Sequence, residues 1–296
     1  MIRSFDGIIA AAAQAPPRTV VCPDPGPGEL AVLAEAARRG IARPWCIGGA
    51  AAPPGAPFRF DPEEDPRAAV RRALEAVKGG GADVLMEGRG PGEAFLEALG
   101  DPREGLGVKG SVMSHVSVYP LLKTERLILV TDTYINNRPD LARKQQILAN
   151  ALSLARRLGW EVPKVAVLAA IEQVNPGIPS TVDAAVLSKM GERGQFGRAV
   201  VEGPIDIDCA LSATAAQRKG LKSAVTGDVD IYVVPDGDTG CLLAEALVFF
   251  GRMETIGCVL GGVAPAVLNL PYVEEKNRLA AVALACLAAG KGGGNG

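Results

Sequence analysis

Residues 126–139 read RLILVTDTYINNRP, and the fold turns on how they are read. The run Leu127–Thr131 is apolar, β-branched and five residues long, the form of a strand buried on both faces. It stops at Thr131 and Asp132, and two asparagines and Arg138 follow before Pro139. A strand that ends in short polar groups suits a ligand cleft, because open α/β sheets bind ligands beyond the carboxyl ends of their strands. A turn with a helix cap at Asn137 explains the same residues, and both can hold together.

Working outward, strand and helix signals alternate. Toward the N-terminus lie strands at 112–119, 82–86, 44–47 and 18–22, with helices at 91–99, 65–78 and 28–39. Toward the C-terminus a long helix over 139–158 follows, with Pro139 in its first turn and Gly159 after it. Then come strand 164–169, helix 180–190 opened by Ser or Thr, strand 198–201 and helix 212–219. Strand 231–234, helix 239–250, strand 258–260 and a last helix over 274–289 complete the chain. Such alternation predicts a mostly parallel sheet with helices on both faces. The Ala/Pro/Gly stretch 49–57 is expected to be a surface loop, the tail 291–296 to be disordered, and a boundary is placed near 136–139.

Bulk composition agrees. The 296 residues are 48% hydrophobic but only 4% aromatic, so the core is built from Ala, Val, Leu and Ile. A net charge of −2 offers no basic excess for nucleic acid. The apolar runs 256–270 and 279–289 are too short or too broken for a membrane span. The opening MIRSFDGIIAAAAQAPP has the outline of a signal peptide, but Asp6 interrupts it and Ile8–Ala13 is short for its apolar part. It reads as a short amphipathic helix ended by Pro16. Six cysteines at 22, 46, 209, 241, 258 and 286 form no CxxC pair and sit mostly in apolar runs, as buried free thiols do. His115 is the only histidine, which excludes a histidine-rich metal site.

Several strand ends are candidate sites. Glu87–Gly92 follows a strand, and Gly88 and Gly90 would bring backbone amides to an anion, with Arg89 adding charge. An ordinary flexible turn fits the same residues. The segment Lys109 to His115 puts two serines beside the histidine, yet no acid is placed and no GxSxG elbow exists, which favours a structural Ser–His turn. Glu172 to Pro176, Glu202 to Asp208 and Pro235 to Gly240 are acidic turns that could bind a divalent ion or act as bases, or serve as caps.

These stretches resemble one family. GSVMSHVSVY, LILVTDTYINNRPDLARKQQI, PKVAVLAAIEQVNPGIPSTVDAA, KMGERGQ, VVEGPIDIDCALS, GDVDIYVVPDGDTG and IGCVLGGVAPAV occur in the order and spacing of the phosphate acetyl/butyryltransferases, closest to the butyryl branch. The resemblance implies two α/β domains with an interdomain cleft, of the isocitrate/isopropylmalate dehydrogenase-like kind. The first would comprise 1–136 with 279–296 and the second 137–278. It implies reversible acyl transfer between coenzyme A and phosphate, with acyl-coenzyme A as substrate, no bound cofactor, no metal, a cytoplasmic location and a homodimer. Carried onto this chain, the expected catalytic residues are Asp208, Thr131, Asp132 and Lys109. Arg89, Gly88, Gly90, Ser114, His115, Asn175, Gly203, Gly240 and Gly262 are expected to bind substrate and phosphate.

The chain also departs from the family pattern. Leu270, Pro271 and Val273 stand where the family has a Ser-Arg pair and an Asp. Glu87 stands in place of a Lys, Lys109 in place of an Arg, and Cys209 and Cys241 in place of Asn. The alternative is therefore a divergent member that binds a ligand, regulates, or uses another substrate.

Overall fold

The structure is a computed structural model, and it describes residues 1–49, 58–90, 92–121 and 125–290. Most of the 49–57 loop and the 291–296 tail lie outside those residues.

The chain begins with helix α1 (Phe5–Gln14), whose N-cap Ser4 accepts from the Gly7 N–H at 3.0 Å. Its buried residues Phe5, Ile8 and Ala12 share one face, as the amphipathic reading requires. Strand β1 (Arg18–Pro23), helix α2 (Pro27–Arg38), strands β2 (Ala42–Gly48) and β3 (Arg59–Pro62), helix α3 (Pro66–Lys78), strand β4 (Val84–Met86) and helix α4 (Gly92–Gly100) follow. Strands β5 (Ser114–Leu121) and β6 (Arg126–Thr131) form an antiparallel pair. Next are helix α5 (Leu141–Arg157), strand β7 (Lys164–Leu168), helix α6 (Pro179–Glu192), strand β8 (Val200–Ile205), the short helices α7 (Ile207–Leu211) and α8 (Ala213–Arg218), strand β9 (Ile231–Val233) and helix α9 (Gly237–Phe249). Strands β10 (Ile256–Leu260) and β11 (Ala266–Val267) and helix α10 (Arg278–Ala288) end it.

Two compact units result, both discontinuous. The flanking unit holds 4–113 and 254–296, and the middle unit holds 114–253 with residues 1–3. The expected boundaries at 136 and 278 therefore shift. The β5–β6 pair belongs with the middle unit because β6 pairs in parallel with β9. Residues 254–278 belong with the flanking unit because β11 pairs in parallel with β4. In the flanking unit the strand order is β3-β2-β1-β4-β11-β10, parallel except for β10 against β11. In the middle unit it is β5-β6-β9-β7-β8, parallel except for β5.

Other differences have local causes. Strand β3 hides behind a Pro/Gly-rich stretch, and β11 has only two residues after Pro265. The expected helix 212–219 is α8, with Ser212 as its N-cap accepting from the Ala215 N–H at 3.2 Å, and the short helix α7 precedes it without a sequence signal. Asp140, not Asn137, caps α5 by accepting from the Arg143 N–H at 2.8 Å. Helix α6 opens on Pro179 with no side-chain cap. The last helix starts at Arg278, after a 3-10 turn over Glu275–Asn277. Its apolar run is explained by burial, since eight consecutive residues from Leu279 to Cys286 are covered. Among the described residues no helix is long and apolar enough to cross a membrane.

Candidate functional site

In the middle unit the TDTYINN turn is a closed knot. Thr131 ends β6 fully buried, and its Oγ1 donates to the His115 carbonyl at 3.0 Å. Asp132 is 3% exposed. Its Oδ1 accepts from the N–H groups of His115, Tyr134 and Ile135 at 3.1, 3.0 and 3.1 Å. Its Oδ2 accepts from the Asn136 N–H at 3.0 Å and from the Asn136 side-chain amide. Burial pushes the Asp132 carboxyl above its usual value, and these hydrogen bonds pull it back. With both Asp132 oxygens accepting from this turn and from β5, Thr131 and Asp132 hold the turn in place.

The Ser–His segment is also buried and held by internal hydrogen bonds. Ser114 Oγ is buried and accepts from Asn150 Nδ2 at 2.9 Å. His115 is 1% exposed, with Nδ1 at 2.7 Å from Thr133 Oγ1 and its ring edge-on to Tyr134. Burial pushes its pKa down to about 3, so the ring is neutral at pH 7. Its Nε2 is buried and has no hydrogen-bond partner among the described residues.

Beyond the knot, the carboxyl ends of β7, β8 and β9 open on a groove of about 710 Å³. Arg138, Ser180, Asp206 and Asp236 line it, with the Lys144–Asp183 ion pair at 2.7 Å. Lys144 is 6% exposed, so this pair is a fixed polar wall. Sequence periodicity did not single it out, because Lys144 sits on what looks like a solvated helix turn.

Asp208 is exposed beside this groove and does not stand alone. Lys219 Nζ lies 2.8 Å from Asp208, 2.8 Å from Glu172 and 3.1 Å from Asp206. The ammonium holds the Asp208 and Glu172 carboxyls below their usual range, and these oxygens in turn push the Lys219 pKa up. Glu172, Asp208 and Cys209 have ligand spacing for a metal ion, but the Lys219 charge occupies the centre of their acidic field. Cys209 is buried, and burial followed by the two carboxylates pushes its thiol up to about 12. Burial also raises the Cys241 thiol. All six cysteines are free.

Asn175 is exposed, and its Oδ1 accepts from the Gly177 N–H at 2.8 Å, closing the turn before α6. The glycines expected at ligands are close-packing positions. A Cβ on Gly240 would lie 2.2 Å from the Asp132 carbonyl oxygen, and one on Gly203 2.8 Å from that of Val167. A Cβ on Gly262, in the flanking unit, would lie 2.8 Å from the carbonyl oxygen of Leu106.

The flanking unit carries the other strand-end candidates. Gly88 presses on β1, since a Cβ there would sit 1.6 Å from the Pro23 carbonyl oxygen. Gly90 has φ +132, a conformation that only glycine adopts readily. Arg89 is half-exposed and bonded to Asp24 at 2.7 Å. Lys109 is exposed and makes no ion pair among the described residues.

Glu87 is 6% exposed, and its Oε2 accepts from the Asn269 N–H at 2.6 Å. Burial pushes its carboxyl up, and nearby Glu29 adds to the shift. Asn269 Nδ2 ties the same turn to Glu29 at 3.2 Å and to the Glu87 carbonyl at 3.0 Å. Glu29 also accepts from the Gly26 N–H at 2.9 Å and from Arg278 at 2.9 Å. Leu270 and Val273 form a turn through a 3.0 Å backbone bond and bring no polar side chain. The guanidinium beside that turn is Arg278. Of this network, only Glu29 left a sequence signal, three residues after Gly26 at a helix start.

Comparison with known proteins matches residues 63–285 to the phosphate acetyl/butaryl transferase family. A phosphate butyryltransferase of Clostridium acetobutylicum is 38% identical over 233 residues, 79% of this chain and 77% of that one. A phosphate acetyltransferase of Rhizobium meliloti is 35% identical over 297 residues, 97% of this chain and 94% of that one. The crystal structure of a branched-chain phosphotransacylase from Enterococcus faecalis superposes with a TM-score of 0.81 at 26% identity, covering 92% of this chain and 99% of that one.

Proposed function

The chain belongs to the phosphate acetyl/butaryl transferase family, and from that premise we propose that it transfers an acyl group reversibly between coenzyme A and phosphate. The observation that carries this reading is the family match across both units, motif turns included. A phosphate oxygen attacks the thioester carbonyl, a C–O bond forms, the C–S bond breaks, and the thiolate leaves to be protonated.

The parts of that reaction call for different groups. Phosphate needs cations and amides, and Arg89, Lys109 and the backbone of Gly88 and Gly90 are the proposed donors. Ser114, His115, Thr131 and Asp132 act as positioning residues that keep the 132–138 loop in one shape. Asp208 stays ionised because Lys219 lies 2.8 Å away, and a carboxylate held so is a weak base. Its proposed role is to orient rather than to take the thiol proton. Asn175, Gly203, Gly240 and Gly262 shape the turns around the substrates. The proposal also includes a homodimer in the cytoplasm, working without a bound cofactor, metal or nucleic acid.

The test is phosphate-dependent release of free thiol from acetyl-, propionyl- and butyryl-coenzyme A. Turnover with at least one of them is expected, and no turnover with any of them overturns the proposal.

A further inference from the structure

Residues 241–250, CLLAEALVFF, hold a single charged side chain, Glu245, and two of the chain's seven phenylalanines stand together at their end. A helix apolar on every side belongs under cover. Helix α9 of the middle unit is covered on its inner side only. There it seats Gly240 and Ala244, and Ala244 joins the core cluster with Ile205, Tyr232 and Val234. Its outer line, at i, i+4 and i+8, is Leu242, Ala246 and Phe250. Leu242 is 70% exposed and Phe250 91%, and Phe249 is exposed beside it. Ile207 of α7 lines the same groove as Thr239 and Leu243, is itself exposed, and carries the apolar surface onward.

The described residues leave that line to solvent, and residues 50–57, 122–124 and 291–296 add one large apolar side chain, Leu122. Leu242, Phe249 and Phe250 together expose on the order of 400 Å² of apolar surface, taking about 200 Å² for a whole Phe side chain. That is about half of the roughly 800 Å² that each partner gives to a stable interface, and a polar rim supplies the remainder. The spacing favours the chain's own copy. Leu242 and Phe250 lie four residues to either side of Ala246, each about 6 Å away along the helix axis. Two such helices crossing antiparallel at the small Ala246 set each Leu242 against the second copy's Phe250. That is the self-complementary match a two-fold axis requires, and an unrelated partner would impose no such symmetry. The charges agree. Asp238 and Arg252 are exposed near opposite ends of the helix and make no ion pair among the described residues, so the same crossing brings each acid toward the second copy's arginine.

We propose that α9 joins two copies of this chain, crossing its own counterpart antiparallel at Ala246. The proposal deepens the homodimer included above and rests on that part of the reading, not on acyl transfer. Leu242 and Phe250 are the anchors of the contact, Ala246 lets the two helices approach closely, and Asp238 and Arg252 form its rim.

Sedimentation equilibrium of the full chain tests it. The mass should be twice that of one chain, with a dimer Kd below about 10 μM. Leu242→Glu and Phe250→Glu should each raise that Kd about a hundred-fold or more, because a symmetric pair feels each change twice. Circular dichroism of both variants should match that of the unaltered chain, since neither side chain is buried. Ala246→Cys tests the crossing point without adding charge. Next to the two-fold axis it meets its own copy, so copper phenanthroline should link most chains into disulfide-bonded dimers, while Asp238→Cys and the unaltered chain should stay unlinked. A chain that stays monomeric up to about 100 μM overturns the proposal together with the homodimer, and leaves the face to an unrelated protein. A dimer that both glutamate variants leave intact overturns the proposal alone and places the homodimer contact elsewhere. A dimer in which Ala246→Cys stays unlinked overturns the antiparallel crossing. Because the readout is mass and not turnover, a protein inactive in acyl transfer still answers the question.

Discussion

Asp132 and Glu87 occupy equivalent places: each is the first residue after a parallel strand, one in each unit, and each is almost fully buried. They differ in their donors. Asp132 collects four backbone N–H groups and one side-chain amide, and three of the four residues that supply them lie within four positions of it. Glu87 receives one backbone N–H on Oε2, from Asn269, and has a second buried carboxylate, Glu29, nearby. A buried carboxylate with full donors is a structural clasp. One with few donors is a charge kept at a cost, and such costs are kept where a site uses them.

The contrast can be broken in stages. At neutral pH Asp132→Ala should cost the most, at least about 3 kcal/mol, because several buried N–H groups lose their acceptor at about 1 kcal/mol or more each. Chemical denaturation reads this, and a loss below about 1 kcal/mol would dissolve the contrast. His115, one strand over, comes next. Its folded pKa of about 3 lies below the unfolded value of 6.5, so the unfolded chain binds a proton that the folded chain refuses. Stability should hold above pH 6.5 and fall by about 1.4 kcal/mol per pH unit below it, down to about pH 3. His115→Asn should flatten that slope in denaturation curves taken across this window.

Glu87→Gln should move the other way, by about 1 kcal/mol of added stability at pH 8. A raised carboxyl pKa contributes stability below the unfolded value of 4.5 that is lost as pH rises through the folded pKa. The advantage of the amide should therefore vanish near pH 4. In steady-state kinetics the same variant should lower KM for phosphate by about five-fold, since a carboxylate repels the anion. An unchanged KM would place Glu87 away from the phosphate. Arg89→Ala is the smallest in stability, within about 0.5 kcal/mol, because its pair with Asp24 is half-exposed. Its effect should appear as a raised KM for phosphate.

Much of this was legible in the chain itself. Elements whose period, caps and breakers agree, such as α2 ahead of Gly40 and α3 between Asp65 and Gly79, were readable to within a residue or two. Elements without local signals were not. Strand β11 exists because β4 offers it a parallel edge, and helix α7 is cut to five residues because Ser212 turns extended to cap α8. At the sites, sequence located the turns, but not the occupancy of their side chains. Thr131 and Asp132 look catalytic in one dimension because polar groups after a strand look the same whether they face a ligand or their own loop.

The order of local signals along the sequence determined the α/β class, the motif turns and the family, since each depends on residues close in the chain. Only the tertiary structure decided which carboxylates are satisfied. Asn269 reaches Glu87 across 182 positions, and Arg278 reaches Glu29 across 249. Hydrogen bonding and desolvation depend on what stands within a few ångströms in space, and no local pattern encodes a neighbour that far away.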